Sequence, residues 1–313
     1  MKVVMTGVSS YLASEILPLL EKDDNIEKVL GLDIIKPNYS HPKLEFKNRD
    51  VRDKKLEEDL KGYDVLIHLA FIVSPLRSVK EMYSINIDGS KNVFNCAINA
   101  GVKKIIHASS VAAYGSFKDN PVPITEDFPI RLMKKRYYYH ETKYLVEKYL
   151  VDEIEIKHPD IIITRFRPHI FLGPTINNEF KDFFNKKRLY SFFPDDKMQF
   201  IWANDVAQAF YLATIKKAPG SFNIGGDNPL STREIAKKLN KKVMKLSYKF
   251  TIGLLLITYK LHVSKKLDPG WVRMSRYPII VDSTKAKKVL GWKPKYDTFG
   301  SIQAFLNYFR ENN

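Results

Sequence analysis

The stretch KVVMTGVSSYLASEIL, residues 2–17, begins with a short apolar run, turns at a glycine and continues in a helical pattern. The apolar and β-branched residues that open it predict a buried β-strand. Gly7 lies where this strand turns into the helix, and such a turn brings backbone N–H groups and a helix N-terminus to one point that can hold a pyrophosphate. In a Gly-x-x-Gly-x-x-Gly spacing, however, the next two positions hold Ser10 and Ala13. The turn alone is therefore equally typical of a phosphate loop and of an ordinary strand-to-helix connection.

The same alternation of strand and helix continues through the first two-thirds of the chain. Short apolar runs predict buried strands at KVVMTG, KVLGLDI, LEFKNRDV, DVLIHLA, KKIIHASS and DIIITRFRP, and helical patterns lie between them. Alternating elements with near-continuous apolar strands predict an α/β fold with a doubly wound parallel sheet that helices cover on both faces.

Beyond about residue 175 the regular alternation gives way to shorter pieces rich in Phe, Lys and Pro, and QFIWANDVAQAFYLAT then returns to the main pattern. We therefore expect a nucleotide-binding domain from residues 1–174, to which residues 199–226 return. Residues 175–198 and 227–313 are expected to form a smaller substrate-binding cap.

The composition is that of a soluble globular protein. The 313 residues carry a net charge of +16, but the basic residues are spread in short clusters without a long basic arm, so we expect no nucleic-acid role. The single cysteine, Cys96, fits a reducing compartment, the cytoplasm, and no signal peptide precedes the first strand. The apolar run 250–259 is too short to span a bilayer, and the seven histidines show no metal-site spacing. We expect neither stable membrane insertion nor a metal.

A carboxylate stands at the end of the second predicted strand. Asp33 closes VLGLD at the place where a dinucleotide-binding sheet has an acidic residue for the adenosine ribose hydroxyls. A carboxylate there would repel a 2′-phosphate, and no Arg follows immediately, so the sequence favours NAD over NADP. The alternative is a strand-end Asp that only caps a turn.

Two further segments place a serine, a tyrosine and a lysine near the ends of predicted elements. HASSVAAYG ends a predicted strand and carries Ser110, while YYYHETKYL begins a predicted helix and carries Tyr139 and Lys143. Positions four residues apart on a helix share one face, so the phenol and the ammonium point into the same space. Such a pair can be a surface accident or a proton-transfer device.

This set of residues resembles that of the extended short-chain dehydrogenase/reductase superfamily, in its NAD-dependent epimerase/dehydratase family. TGVSSYLA is similar to the family's TGxxGxxG turn with two glycines replaced, and YHETK matches its YxxxK element. Further segments follow in family order over nearly the whole chain: NRDVRD, HLAF, SINIDGSKNV, SSVAAYG, RFRPHIFLGP, WANDVAQAF, FNIGGDNPLS and LGWKPKY. The resemblance implies a Rossmann-type fold, NAD as cofactor, and a homodimer in which helices at roughly 77–100 and 140–157 pair across a two-fold axis.

The resemblance also implies a cofactor site and a catalytic set. The implied cofactor-binding residues are Gly7, Ser10, Tyr11, Leu12, Asp33, Ile34, Asp50, Val51, Leu69, Ala70, Phe71, Asn86, Tyr139 and Lys143. Tyr139 would be the general acid/base that exchanges a proton with a substrate hydroxyl while hydride passes to or from nicotinamide. Lys143 would lower the pKa of Tyr139 and hold the nicotinamide ribose, and Ser110 would donate a hydrogen bond to the substrate oxygen.

Departures from the family pattern narrow the expected reaction. The family's dehydratases need acidic residues just after the catalytic hydroxyl, where this chain has Val111, Ala112 and Ala113, so a dehydratase is disfavoured. An epimerase or a dehydrogenase/reductase remains, with a nucleotide sugar as the expected substrate. Met198 stands where the family commonly has an Arg that grips the diphosphate, and the basic residues 186–188 either substitute for it or form a solvated face.

The segment KFTIGLLLITYKL, residues 249–261, leaves several interpretations open. It can be a helix that covers the cap or makes a dimer contact, or an apolar entry for a bulky sterol- or isoprenoid-like alcohol. The lysines near its ends would also suit brief contact with a membrane surface. The alternatives to a sugar-nucleotide epimerase are thus a dehydrogenase/isomerase of such an alcohol and, because of Ser10, a non-catalytic dinucleotide-sensing protein. The complete set of Ser110, Tyr139 and Lys143 argues against a sensor, which needs no proton relay.

Overall fold

The computed structural model of the chain describes residues 1–73, 78–134, 137–176, 179–260 and 269–311. Residue 77, at the start of one expected dimer helix, and residue 261, at the end of the apolar segment, lie outside these ranges. Parts of the expected cap, at 177–178, 261–268 and 312–313, lie outside them as well.

The elements follow one another as the sequence pattern predicts over the first two-thirds of the chain. The strands are β1 Lys2–Thr6, β2 Lys28–Asp33, β3 Leu44–Asn48, β4 Val65–His68, β5 Lys104–Ala108, β6 Ile162–Pro168, β7 Ile170–Leu172, β8 Arg188–Ser191, β9 Lys197–Met198, β10 Phe200–Trp202, β11 Gly220–Ile224, β12 Leu230–Ser231 and β13 Lys242–Lys245. The α-helices are α1 Tyr11–Glu21, α2 Leu56–Leu60, α3 Val79–Tyr83, α4 Ser90–Asn99, α5 Tyr138–Tyr149, α6 Glu179–Asn185, α7 Ala203–Ile215, α8 Thr232–Lys238, α9 Tyr248–Lys260, α10 Pro269–Met274 and α11 Thr298–Glu311. Short π-helical segments span Ser84–Gly89, Leu150–Glu155 and Ala286–Leu290, and a 3₁₀ turn spans Val111–Tyr114.

Within the described part of the chain, seven parallel strands form the central sheet, in the order β11-β6-β5-β4-β1-β2-β3. The strand order reverses between β1 and β4, and a crevice opens at such a point beyond the carboxyl ends of the strands. The predicted doubly wound parallel α/β sheet is therefore confirmed.

Two apolar cores cover the two faces of this sheet, because successive side chains along a strand point to opposite faces. Val3 and Met5 of β1 pack with α1 and α7 on one face, in a cluster that also holds Ile16 and Phe210. Val4 belongs to the opposite cluster, which contains residues of α4 and α5. Burial on both faces explains why the strands read as continuous apolar runs.

The later segments form small two-stranded pairs, β10 with β7, β12 with β9 and β13 with β8, beside α6, α8 and α11. A third apolar cluster holds these pieces together. It joins Leu172 and Phe200, from the expected nucleotide-binding domain, to Phe184 and Phe305, from the expected cap. The division at residues 174, 198 and 226 stays a prediction.

Helix α9 contributes no described residue to these three apolar clusters. Neither it nor another helix of the described ranges is long and apolar enough to cross a membrane. The same ranges contain no group of three or more His, Cys, Asp or Glu side chains that could hold a metal ion.

Candidate active site

The carboxyl edge of the sheet is closed tightly at Gly7. The residue has φ +72°, and a Cβ there would stand 2.5 Å from the backbone nitrogen of Ala70, just after β4. Its N–H donates to the carbonyl of Leu32 at 2.9 Å. A side chain would therefore force the ends of β1 and β4 apart, which is why this turn needs glycine.

Ser10 acts as the N-cap of α1. Its hydroxyl accepts a hydrogen bond from the N–H of Ala13 at 3.3 Å, so the side chain serves the helix. The N–H groups of Tyr11 and Leu12 belong to the first turn, where helical N–H groups have no partner within the helix and can hold an anion. The Tyr11 hydroxyl donates to Glu15 at 3.0 Å, and its ring lies against Gly173.

Asp33 ends β2 beside the same turn. Its carboxylate accepts hydrogen bonds from the N–H of Ser9 at 3.0 Å and from that of Ile34 at 2.7 Å. It also accepts from the N–H of Ile35 at 3.3 Å. An ionised carboxylate has about four acceptor positions, so Asp33 keeps capacity for one ribose hydroxyl. The structure thus places Asp33 where the sequence predicts, and shows that it also braces the phosphate turn.

The other cofactor residues implied by the resemblance also line this edge, with differing contacts. Asp50 accepts from the N–H and the guanidinium of Arg52, and the hydrogen bonds to Arg52 keep the pKa of Asp50 below its usual range against the effect of burial. Val51 is buried against Gly89. Leu69, buried after β4, donates its N–H to the carbonyl of Thr6 at 3.0 Å, and Ala70 and Phe71 follow.

Asn86 is buried and both ends of its amide are occupied. It accepts from the N–H of Ile72 at 2.7 Å and donates to the carbonyl of Ile72 at 3.0 Å. In the structure it therefore holds the segment after β4 in place, and a direct contact with the cofactor stays a prediction.

The structure brings the three predicted catalytic residues together. Ser110 follows β5 and caps the 3₁₀ turn, accepting from the N–H of Ala112 at 3.1 Å, and its side chain lies close enough to the Tyr139 hydroxyl to act on the pKa of that phenol. Lys143 lies one turn along α5 from Tyr139 and is buried. Its ammonium donates to the carbonyl of Ala108 at 2.6 Å and lies over the ring of Phe71. Two of its N–H groups remain for ribose hydroxyls, so the residues present fit NAD.

The pKa values of this pair differ from the sequence prediction. Burial raises the pKa of Tyr139, and the hydrogen bond with Ser110 only partly opposes it. Burial also lowers the pKa of Lys143 to about 7, with Glu147 acting in the opposite direction. The ammonium of Lys143 donates to the carbonyl of Ala108 and lies 5.8 Å from the centroid of the Tyr139 ring, so a lowering of the phenol's pKa by Lys143 stays a prediction.

A buried ionic network that the sequence analysis missed lies behind this pair. Glu147, one turn beyond Lys143 on α5, is ion-paired with Arg167 and accepts a hydrogen bond from Ser109. Arg167 also donates to the Tyr114 hydroxyl at 2.6 Å, and Arg165 lies 3.6 Å from the same carboxylate. Burial would raise the pKa of Glu147, but the two arginines and Ser109 together bring it below its usual range. The network fixes α5 against the strand end that carries Ser110.

Glu147→Gln is expected to lower the free energy of unfolding by about 3 kcal/mol or more, because Arg167 would keep a buried charge without its partner. Since the pKa of Glu147 is lowered in the folded state, its contribution is present above the ordinary Glu range near pH 4.3 and lost as the pH falls below it. Denaturant unfolding at pH 7 and at pH 3 measures both effects. If the free energies of unfolding of wild type and Glu147→Gln differed as much at pH 3 as at pH 7, the proposed dependence of stability on the ionisation of Glu147 would be wrong.

Trp271, on α10, packs on Tyr139 from the later part of the chain. Its ring stacks on Tyr139 with centroids 6.0 Å apart and packs against Tyr137 at 5.3 Å. Gly270 lies against the Tyr137 ring, where a side chain would clash. The backbone N–H of Tyr277 donates to the Ser116 hydroxyl at 2.9 Å, which ties this segment to the sheet edge.

A cavity of about 480 Å³ lies next to the same segment. Its walls combine cations and rings: Phe192, Phe193, Lys245, Leu246, Ser247, Tyr248, Lys249 and Arg276. The Arg276 guanidinium lies over Phe193 at 4.8 Å from the ring centroid and over Tyr248 at 5.4 Å. Cationic groups beside flat rings can receive a phosphorylated aromatic base.

The residues on which the substrate expectations rest occupy ordinary structural positions. Met198 lies in β9, and the basic residues 186–188 are exposed. Val111, Ala112 and Ala113 are buried in the 3₁₀ turn after Ser110. The cationic side chains that line the cavity are Lys245, Lys249 and Arg276.

A parallel sheet whose order reverses beside Gly7, with a tyrosine and a buried lysine one helical turn apart at the same edge, is the arrangement of Rossmann-type oxidoreductases that use a dinucleotide. Residues 3–225 match the model of the NAD dependent epimerase/dehydratase family, and the chain belongs to that family. It is an NAD-dependent enzyme, and the predicted family and cofactor are confirmed.

Three known proteins illustrate the similarity. UDP-glucose 4-epimerase from Lactobacillus helveticus is 28% identical over 342 residues, covering 97% of this chain and 95% of the relative. The structure of UDP-glucose 4-epimerase with UDP-glucose from Thermotoga maritima has a TM-score of 0.77 at 21% identity and covers 100% of this chain and 99% of that one. A dTDP-glucose 4,6-dehydratase from Streptomyces venezuelae, with NAD bound, has a TM-score of 0.75 at 20% identity, with 100% and 98% covered. The solved structures confirm the fold.

Proposed function

We propose that this protein is a sugar-nucleotide epimerase or a closely related NAD-dependent oxidoreductase that acts on a secondary alcohol carbon of a nucleotide sugar. The observation that carries the proposal is the grouping of Ser110, Tyr139 and Lys143 at the carboxyl edge of the sheet, with Lys143 one helical turn from Tyr139. In a sensor, nothing would require an ammonium to be buried one turn from a phenol, and the burial of the Lys143 ammonium costs free energy.

The chain's own groups move and hold the proton in this proposal. Bound NAD supplies or accepts the hydride. Tyr139 exchanges a proton with the substrate hydroxyl, and Ser110, which lies beside the phenol, fixes the substrate oxygen. Lys143 holds the nicotinamide ribose with the N–H groups that Ala108 leaves free. The turn at Ser10–Leu12 and the carboxylate of Asp33 hold the pyrophosphate and the adenosine ribose.

The cavity beside Arg276 supports a nucleotide sugar over a smaller alcohol. Arg276, Lys245 and Lys249 offer positive charge for a diphosphate, and Phe193 and Tyr248 offer rings for a base. Trp271, a few residues before Arg276, lies on Tyr139, so one segment connects the cavity to the reacting centre. The absence of acidic side chains at Val111–Ala113 supports epimerisation or dehydrogenation over dehydration.

A second candidate, an alcohol dehydrogenase/isomerase with a bulky apolar substrate, is favoured by the aromatic surroundings of the phenol. Phe71 and Trp271 both lie against the Tyr139 ring. Incubation with NAD and a panel of UDP- and dTDP-sugars, with product analysis for the epimer, decides between the two. Turnover of no nucleotide sugar, together with NADH formation from a sterol or isoprenoid alcohol, would favour the second candidate.

Asp33→Ala is expected to narrow the preference for NAD over NADP, because the variant loses the acceptor for the ribose hydroxyls and the repulsion of a 2′-phosphate. Titration of NAD and of NADP into wild type and variant measures the ratio of the two affinities for each protein. Asp53→Ala is a suitable control, since it removes a nearby partly exposed carboxylate of the same loop region. Equal or tighter binding of NADP by the wild type would overturn the assignment.

Assembly and location complete the proposal. We propose a homodimer in which the helical stretches near 77–100 and 140–157 pair across a two-fold axis, as the family resemblance implies. A cytoplasmic location is supported by the single buried, unpaired thiol of Cys96.

A further inference from the structure

Helix α9 presents an apolar face to solvent. Phe250 is 72% exposed, Leu254 51% and Ile257 58%. Their spacing places the three side chains on one side of the helix, one turn after another. Single exposed apolar side chains are common, but a contiguous row of large ones marks a surface for interaction.

The stretch of sequence that contains this helix is strongly cationic. Residues 235–267 contain no Asp or Glu, and their lysines are Lys237, Lys238, Lys241, Lys242, Lys245, Lys249, Lys260, Lys265 and Lys266. Among those with described side chains, Lys237, Lys238, Lys242, Lys245 and Lys249 are exposed. More than half of the protein's net charge of +16 is therefore concentrated in this one segment.

We propose that α9 docks on an anionic phospholipid bilayer, with its apolar face in the headgroup region. The exposed lysines that precede it in the chain and lie outside the cavity, Lys237, Lys238 and Lys242, contact lipid phosphates and carboxylates. An apolar row beside clustered lysines is the pattern of helices that lie in the membrane interface. At 13 residues, α9 is about 20 Å long, shorter than the roughly 30 Å hydrocarbon core, so it lies on the bilayer and does not span it.

Charge distinguishes this partner from the alternatives. An isologous contact between two copies through α9 would bring together two segments that carry lysines and no carboxylates, and these like charges would repel each other. A nucleic acid would pair with the lysines but would leave Leu254 and Ile257 in water. An anionic bilayer satisfies both the charge and the apolar row.

Flotation of the full chain with vesicles tests the proposal. Wild type should bind phosphatidylcholine vesicles that contain phosphatidylserine, weakly at high salt, and should not bind pure phosphatidylcholine vesicles. Phe250→Ser/Leu254→Ser/Ile257→Ser should lower the affinity for these vesicles about 100-fold, because the variant lacks the three apolar side chains that would enter the headgroup region. Lys237→Gln/Lys242→Gln, at positions outside the cavity, should lower it about tenfold and reduce the salt dependence.

A matched control removes exposed apolar side chains elsewhere: Leu132→Ser/Ile215→Ser/Val289→Ser, at 45%, 41% and 50% exposure, should bind like the wild type. If the triple variant does not fold, the single Phe250→Ser variant replaces it. Its affinity for anionic vesicles should still be about fivefold lower than that of the wild type. Equal vesicle binding by the α9 variants and the control would overturn the proposal. A wild type that does not bind anionic vesicles would overturn it as well. If light scattering then gave the α9 variants a smaller assembly mass than the wild type, this face would be a contact between copies.

Discussion

Tyr139→Phe is expected to keep the fold and the binding of NAD but to lower turnover by about 10²- to 10⁴-fold, the contribution of a positioned acid/base. The substitution removes only the hydroxyl, and the ring keeps its packing against Phe71 and Trp271. NAD affinity from titration and the conversion rate of the best sugar substrate measure the two effects. Tyr144→Phe, on the same helix next to Lys143, is the control and should leave turnover unchanged.

The pH dependence of the wild type gives a second readout. Because burial raises the pKa of Tyr139, the phenol is protonated at neutral pH and ready to donate a proton in the reductive direction. The oxidative direction needs the phenolate, so its rate should keep rising with pH through the neutral range and above it. Near-full hydride transfer by Tyr139→Phe would show that another group carries the proton.

Local patterns were sufficient to predict the central sheet and to place the candidate site residues at its carboxyl edge. Each predicted strand from KVVMTG to DIIITRFRP became β1 to β6, because a strand buried on both faces leaves a continuous apolar run. Ser110 and Asp33 were found because carboxyl ends of parallel strands meet at one edge, so a polar residue at a strand end points to the site. The spacing of Tyr139 and Lys143 follows from one helical turn.

Contacts between distant segments could not be predicted in this way. Trp271 stacks on Tyr139 from more than a hundred positions away, and no periodicity in either segment specifies that pairing. Arg276 joins Phe193 and Tyr248 in the cavity for the same reason. Glu147 had a weak signal, since it lies one turn after Lys143 on the same helix face, but its partner Arg167 lies in another element.

Two sequence interpretations changed because the environment of a side chain decides its chemistry. Ser10, at the position of a missing glycine, caps α1 with its hydroxyl and so occupies a common helix-start role. Lys143 has the predicted place, yet burial lowers its pKa and directs its ammonium to a backbone carbonyl. A pattern gives the spacing of such groups but not their desolvation.

Lys143→Met is expected to lose NAD affinity and turnover together while making the protein without ligand more stable at pH 6. Lys143 would hold the nicotinamide ribose, so both functions should fall, turnover by about 10²-fold or more. The gain in stability follows from burial, which lowers the pKa of Lys143 to about 7. Methionine fills much of the same volume without a charge to desolvate, so the free energy of unfolding at pH 6 should rise by a few kcal/mol.

The sign of the pH dependence makes this prediction specific. In the unfolded chain a lysine keeps its proton to about pH 10.4, whereas folded Lys143 releases it near pH 7, so the unfolded state binds more protons between these values. Wild-type stability from this group therefore rises with pH across that window, and the advantage of Lys143→Met should shrink as the pH approaches 10. Lys148→Met, on the exposed side of the same helix, should change stability by less than about 0.5 kcal/mol at either pH. If Lys143→Met were less stable than the wild type at pH 6, the ammonium would have to gain more from the Ala108 carbonyl and Glu147 than its burial costs, and the lysine would be a structural anchor of α5 as well as a cofactor ligand.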